Sequence, residues 1–304
     1  MEENIKKYNL FKEKFPQVRE NVELSQFTAY KIGGPADLYL EARDSYDIPE
    51  FVEKALELEI PYYILGGGCN IVFSDVGFEG LVIHNKANGI EIHGSRVVAE
   101  SGAILGVVIA KAREKELGGI INMVGLPGTI GGAVYGNAGA HGVEIGDFVE
   151  SVKLFDKDSG VKEEGPEYFQ FSYRSSILKK THEIVLSVTL LLPPLDQNDA
   201  ALEVVKFRAA KQPKGNVAGS FFKNPRANES AGFLIDKAGL KGTREGGIEV
   251  SLLHGNWLMN TGNGTQKNVV DLARKIKKEV YNQFKIELEP ENIVIDERGN
   301  KVDI

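Results

Sequence analysis

Apolar positions recur along this chain with two periods, near 3.6 and 2, and the switches between them predict its elements. Residues 1–24 read as an amphipathic helical lead with Leu10, Phe11 and Phe15 on one side. A strand is expected from Tyr39, then a helix in which Ile48, Phe51, Val52, Ala55 and Leu56 recur at helical spacing before Pro61. Short strands follow at Tyr62–Leu65, Ile71–Phe73, Leu81–Ile83 and Val97–Ala99, with glycine or polar turns between them. Leu105–Leu117 has helical spacing and stops at Gly118-Gly119. Strands near Val149–Asp156 and Ile184–Leu192 flank a Lys157–Gly160 turn. Pro193-Pro194 and the polar residues up to Asp199 then form the best linker. Beyond it the pattern predicts a helix at Ala200–Lys211, a strand at Ser220–Lys223 and a helix at Ala231–Ala238. Strands at Gly247–Ser251 and Asn256–Asn260, a helix at Lys267–Phe284 and a strand at Asn292–Asp296 complete it. There is no internal repeat, and the class is α+β with many short strands.

One stretch breaks both periods. Gly125–Gly142 holds seven glycines in eighteen residues, separated by apolar Ile130, Ala133 and Val134 and by almost no charge. Glycine loses the most conformational freedom on folding, so such a run makes a poor core. It lets another molecule approach backbone N–H groups closely, and it reads as a loop packed on the protein around something flat or phosphorylated. A second loop, Gly66-Gly-Gly-Cys-Asn70, joins two predicted strands. It lacks the G-x-G-x-x-G pattern between a strand and a helix, and no Gly-Lys-Ser/Thr occurs. Successive N–H groups there form either an anion nest or simply a tight hairpin turn. With Pro127 and Asn137 fixing the turns of the longer loop, the pair favours a large ligand carrying a diphosphate and a ring.

Three further segments are candidates for chemistry. Arg174 lies among aromatic and hydroxyl residues in Phe171–Lys179, as a surface ion-pair residue or as the stabiliser of a developing enolate or carboxylate. Ser220 follows a glycine and precedes two phenylalanines. No Gly-x-Ser-x-Gly elbow surrounds it, so acyl transfer is disfavoured while proton donation to carbon stays open. Leu288-Glu-Pro-Glu-Asn292 carries two carboxylates; a solvated turn suits Glu289 better than Glu291, which leaves Glu291 as the candidate acid.

Composition narrows the classes. A net charge of −7 argues against a general nucleic-acid surface, because phosphate backbones need a basic face. The single cysteine excludes an internal disulfide and a cysteine zinc site, and no metal site is read from the sequence. The charged start Met1-Glu-Glu-Asn-Ile-Lys-Lys has no apolar stretch behind it and no segment reaches membrane-spanning length, so a cytoplasmic protein is expected. In that setting the sequons at Asn228 and Asn263 are chance matches.

Taken in order, these segments resemble one family. Ile32-Gly-Gly-Pro-Ala-Asp37, Leu65-Gly-Gly-Gly-Cys-Asn70, the Gly125–Gly142 run and Ser172-Tyr-Arg-Ser-Ser176 are followed by Ala218-Gly-Ser-Phe-Phe-Lys-Asn-Pro225. Ala231–Asp236, Leu240-Lys-Gly242, His254 with Asn260, and Leu288–Glu291 complete the series. Each alone is weak; together they are similar to the UDP-N-acetylenolpyruvoylglucosamine reductases, over roughly Phe27 to Glu291.

The resemblance implies an α+β chain with a two-subdomain FAD-binding region of the vanillyl-alcohol-oxidase (PCMH) type over 1–195, its subdomains at about 25–85 and 86–195. A C-terminal α+β substrate-binding domain over 200–304 would follow, its end a candidate to pack back on the first subdomain. It implies non-covalent FAD, NADPH as reductant, and an enolpyruvyl UDP-sugar substrate that enters the same cleft after NADPH leaves. No nucleic-acid or membrane partner is implied, and a monomer is expected. Carried over by position, Ser220 protonates the carbon that becomes the lactyl centre, while Arg174 and Glu291 polarise the substrate carboxylate and stabilise the enol. Gly66, Gly67, Gly68, Cys69, Asn70, Gly125, Pro127, Gly128, Gly132, Asn137 and Gly139 would hold FAD; Tyr173, Lys211, Asn224 and His254 would hold the UDP-sugar.

The chain departs from the family pattern in places. Cys69 stands where serine or threonine is usual, Ile293 where some members have arginine, and the Asn292–Asp296 ending differs. The short span from Arg174 to Lys211 resembles the form that lacks a tyrosine-bearing loop over the substrate. Two other readings remain open at this point: an oxidase or dehydrogenase of the same flavin fold acting on an alcohol or hydroxy acid, and a non-catalytic binder of FAD or UDP-sugar.

Overall fold

A computed structural model describes residues 2–196, 212–226 and 229–304. Its contacts separate two units. The first comprises Met1–Val18, Tyr39–Gly67 and Leu81–Arg208; the second comprises Arg19–Leu38, Gly68–Gly80 and Ala209–Ile304. The predicted helix Ala200–Lys211 and the last three residues of the Pro193–Asp199 seam lie outside the described residues.

The first unit is built on a five-stranded antiparallel sheet in the order Gly160–Glu164, Val149–Asp156, Ile184–Leu191, Arg96–Glu100, Ile90–His93. Val97, Ala99, Val152, Leu154, Val188 and Leu190 point into one core. The helices Leu105–Glu114 and Ile130–Gly136 add Val108, Ile109, Ala112, Ile130, Ala133 and Val134 to it. The alternation of buried with partly exposed positions along Arg96–Glu100 follows from having only one face covered. Ile90–His93 and Gly160–Glu164 were not expected from the sequence. Both are edge strands with exposed polar side chains, so the apolar signal that marks a strand is diluted there.

Elsewhere in this unit Tyr62–Leu65 pairs in parallel with Leu81–His84, and the helix Asp47–Glu57 buries Ile48, Phe51, Val52 and Ala55. The predicted N-terminal helix is shorter than its pattern suggested. It spans Glu2–Lys14 and stops before Pro16, whose ring cannot continue a helix. Phe11 and Phe15 are 0% and 4% exposed, and the Phe15 ring meets Phe51 edge-on at 4.9 Å; Leu10, one residue round the helix, is 40% exposed. Residues 19–23, expected within the helical lead, belong to the second unit and form a strand instead.

In the second unit Arg244–Glu245, Ile248–Val250 and Leu258–Asn260 make an antiparallel sheet, and Ile71–Val72 pairs in parallel with Ile293–Val294. The 19-residue helix Gln266–Phe284 buries Val269, Val270, Leu272, Ala273, Ile276 and Val280. Its start is fixed twice: Thr265 and Asn268 form a capping box, and both Asp75 carboxylate oxygens accept from the Gln266 N–H. The helix Ala231–Lys237 starts at Ser230, whose hydroxyl accepts from the Phe233 N–H.

Two predictions inside the glycine and serine segments change. The Gly125–Gly142 run is not a continuous loop, because Ile130–Gly136 is helical. The apolar residues Ile130, Ala133 and Val134 have helical spacing, and Thr129 accepts from the Gly132 N–H as the cap. Ser220–Lys223 is not a strand; a single bridge joins Phe222 to Pro290.

Candidate functional site

The predicted residues gather into two groups, one in each unit. In the first unit the glycine run is pinned by its backbone. The Leu105 N–H donates to Gly128 O at 3.0 Å, Ile130 N–H to Ala103 O at 2.8 Å and Gly131 N–H to Ser101 O at 2.9 Å. Its glycines then divide by what a side chain would meet. A Cβ on Gly131 would lie 2.7 Å from the Ser101 Cβ, one on Gly139 would lie 2.6 Å from Val143 O, and one on Gly66 would lie 2.9 Å from Thr129 Oγ1. Those three are small because the protein itself fills the space. Gly128 and Gly136 meet nothing within 4 Å, and Gly132 meets only Thr129 Oγ1 at 3.5 Å. Gly132 and Gly136 are one helical turn apart, so a single helix face is backbone open to an incoming molecule.

Asn137 caps this helix in the left-handed conformation, with φ 44°. Its side chain is 1% exposed and ties three segments together: Nδ2 donates to Glu144 Oε2 and Ser172 O, and Oδ1 accepts from the Gly146 N–H. Asn137 therefore shapes the loop through its side chain. Ser172 and Ser175 exchange backbone hydrogen bonds across Tyr173-Arg174, and Arg174 takes φ 54°, a conformation L residues adopt at a cost. The Arg174 guanidinium donates to Gly139 O at 2.9 Å and lies 5.1 Å from the centre of the Tyr173 ring. Lys179 Nζ holds the Arg174 carbonyl at 2.6 Å, and Ser176 Oγ–H donates to Tyr135 O. The structure thus brings Asn137, Gly139, Tyr173 and Arg174 together. Lys179, Glu144 and Thr129 are supporting residues that sequence reasoning passed over, because lone polar residues at those positions carry no pattern.

In the second unit Gly68 has φ 64°, and a Cβ there would lie 1.9 Å from Phe27 O. Burial pushes the Cys69 thiol up, which keeps it protonated near neutral pH and disfavours thiolate chemistry. Asn70 joins the shorter glycine loop to the C-terminal segment. Its Nδ2 donates to Glu291 O at 3.2 Å, its Oδ1 accepts from Asn292 Nδ2 at 2.5 Å, and its carbonyl accepts from the Ile293 N–H. Behind it the buried Tyr30 hydroxyl donates to Asn292 Oδ1 at 3.0 Å. The Glu291 N–H donates to Phe221 O at 2.8 Å, which puts Glu291 beside the residue following Ser220.

Asn224 and His254 meet at the start of one helix: Asn224 Oδ1 accepts from the Ala231 N–H, and a Cβ on Gly232 would lie 2.9 Å from His254 Cε1. Burial, with Lys241 nearby, holds the His254 imidazolium below its usual range. Its Nδ1 accepts from the Asn256 N–H at 3.2 Å, so the neutral ring carries its proton on Nε2. Lys211 lies outside the described residues.

Two family models match successive parts of the chain. A family model described as "FAD binding domain" matches residues 36–163, which hold both glycine loops. A second, described as "UDP-N-acetylenolpyruvoylglucosamine reductase, C-terminal domain", matches residues 211–295, which hold Ser220, Asn224, His254 and Glu291. The UDP-N-acetylenolpyruvoylglucosamine reductase of Clostridium novyi is 36% identical, across 93% of this chain and 94% of its own. That of Rubrobacter xylanophilus is 37% identical, across 93% and 97%. The chain belongs to the UDP-N-acetylenolpyruvoylglucosamine reductase family.

The solved structure of a UDP-N-acetylenolpyruvylglucosamine reductase from Thermus caldophilus agrees, with a TM-score of 0.77, 34% identity and coverage of 91% of this chain and 99% of that one. The fold is the α+β arrangement of an FAD-binding region followed by the C-terminal domain of this family, and the chain is a flavin-dependent oxidoreductase. The residues present fit FAD: the backbone is open at Gly128, Gly132 and Gly136, and Cys69 remains a thiol. Among the described residues no helix is long and apolar enough to cross a membrane.

Proposed function

We propose that this chain reduces the enolpyruvyl ether of UDP-N-acetylglucosamine to the lactyl ether, UDP-N-acetylmuramate, with NADPH as reductant, in cytoplasmic synthesis of peptidoglycan precursors. When bound, FAD would supply the two-electron chemistry, with NADPH as the source of the hydride that the methylene carbon of the substrate double bond gains. Ser220 Oγ–H gives a proton to the other alkene carbon and regains one from solvent, so that two electrons and two hydrogens are added across the double bond. The Arg174 guanidinium and the Glu291 carboxyl act at the substrate carboxylate, where negative charge builds before the proton arrives. Backbone N–H groups of Gly66–Asn70 and Gly125–Gly139 hold the cofactor, with Pro127 and Asn137 setting their turns. Tyr173, Lys211, Asn224 and His254 hold the nucleotide sugar, over which this short form of the family has no tyrosine loop.

The observation that supports this reading most directly is that the segments carrying Ser220 and Glu291 are registered against each other, through the 2.8 Å bond from the Glu291 N–H to Phe221 O. The names of the relatives support the substrate. The test is the visible spectrum of the anaerobic protein, followed through addition of NADPH and then of the enolpyruvyl sugar. The band of the wild type bleaches and returns. In Ser220→Ala it bleaches at the same rate and barely returns. Return at the wild-type rate in that variant rules Ser220 out as the proton donor; no return in the wild type rules out the substrate.

A further inference from the structure

Ser220 lies next to a segment, Phe221–Lys223, that is paired on one side only, through the single bridge from Phe222 to Pro290 beside Glu291. The backbone polar groups of Phe221–Lys223 find partners in two places. The Phe221 carbonyl accepts from the Glu291 N–H, and the Lys223 N–H donates to Glu289 O, both at 2.8 Å. The Phe221 N–H and both backbone groups of Phe222 go to one residue, Asn256. The Phe221 N–H donates to Asn256 O at 2.8 Å and the Phe222 N–H to Asn256 Oδ1 at 2.9 Å. In return Asn256 Nδ2 donates to Phe222 O at 2.8 Å. A side-chain amide has the same donor and acceptor as a peptide group, so here it replaces the edge of a missing strand. Asn256 is 2% exposed, and its own N–H is held by His254 Nδ1.

Resting on the reading of Ser220 as proton donor, we propose that Asn256 is a positioning residue for proton delivery: its amide grips Phe222 on both sides and so places the Ser220 hydroxyl and Glu291 together. No hydroxyl, carboxylate or amine of Asn256 takes part in the chemistry. Its effect passes through the backbone of Phe221 and Phe222.

Asn256→Asp is nearly isosteric but turns the donor Nδ2 into a second acceptor facing Phe222 O. The expected result is a split between half-reactions. Reduction of the flavin by NADPH stays within about twofold of wild type, while reoxidation by the enolpyruvyl sugar slows by about 10- to 100-fold, the scale of a misplaced catalytic group. The solvent deuterium isotope effect on reoxidation rises as proton transfer becomes limiting. Both rates are read from flavin absorbance, so only folded, loaded molecules are counted even if the yield falls. A second measurement needs no cofactor: in the flavin-free protein, Asn256→Ala speeds amide exchange at Phe222 by about tenfold or more, and much less at the helix Gln266–Phe284. Equal slowing of both half-reactions, or no slowing, overturns the proposal, as does unchanged exchange at Phe222. Ser220→Ala, run in parallel, keeps the two readings apart. If it reoxidises normally the proton-donor assignment fails; if it does not, while Asn256→Asp does, only the positioning role fails.

Discussion

Gly132→Ala should make the flavin-free protein more stable and the flavin-loaded protein harder to form. Gly132 sits inside the helix Ile130–Gly136 with an ordinary helical backbone, and its added Cβ meets only Thr129 Oγ1, at van der Waals distance of 3.5 Å. Nothing in the protein resists the methyl group. Alanine in a helix interior is favoured over glycine by about 0.5–1 kcal/mol, because the unfolded chain has less freedom to lose. In a chain of this size that raises the melting temperature by about 1–3 °C. If the open face at Gly128, Gly132 and Gly136 is where FAD approaches the backbone, the same methyl group stands in the ligand's place. A tenfold loss of affinity corresponds to about 1.4 kcal/mol, and that or more is expected. Gly131→Ala is the contrasting neighbour: its Cβ would fall 2.7 Å from the Ser101 Cβ, so overpacking should cost about 1–3 kcal/mol with or without flavin. The assay is a thermal melt of the deflavinated proteins together with a titration by flavin fluorescence. A Gly132→Ala protein that binds FAD as tightly as wild type would refute the assignment of this face to the cofactor.

Gly68→Ala should destabilise even the flavin-free protein, by at least about 1–2 kcal/mol, because its φ of 64° is left-handed and its Cβ would run into Phe27 O at 1.9 Å; urea unfolding checks this. The ion pair of Lys162 with the buried Glu183, at 2.6 Å, gives a pH signature. Burial acts to raise the Glu183 carboxyl, but hydrogen bonds from Lys162, Thr181 and Tyr168 outweigh it and hold the carboxyl below its ordinary value. A depressed carboxyl contributes stability that is present above the unfolded value of about 4.3 and lost as pH falls through the folded value. Urea midpoints measured from pH 7 downwards should therefore fall less steeply below about pH 4 in Glu183→Gln than in wild type, and equal slopes would refute the account.

Much of the fold could be read locally. The helix Gln266–Phe284 matches its predicted span to one residue, since six apolar positions at helical spacing and a capping box are properties of neighbouring residues. The central strands Val149–Asp156 and Ile184–Leu191 were legible for the same reason, while their edge neighbours were not. Ser220–Lys223 misled because Phe221 and Phe222 are both fully buried, a burial that resembles a strand, while their hydrogen bonds go to a side chain and a proline-bearing turn.

The amino-acid order by itself determined the family, the two glycine-rich segments, the span of the long helix Gln266–Phe284 and the identity of the candidate residues at 174, 220 and 291. All of these rest on residue type and on spacing over a few positions. Only the tertiary structure decided what each glycine is for. Gly66, Gly68 and Gly131 are small because Thr129, Phe27 and Ser101 crowd them, whereas Gly128, Gly132 and Gly136 face open space. It also decided that Asn137 and Asn256 work as backbone substitutes, holding residues 7 to 35 and 34 positions away. Hydrogen-bond partners and van der Waals neighbours are set by which segments fold onto one another, and no local period encodes that choice.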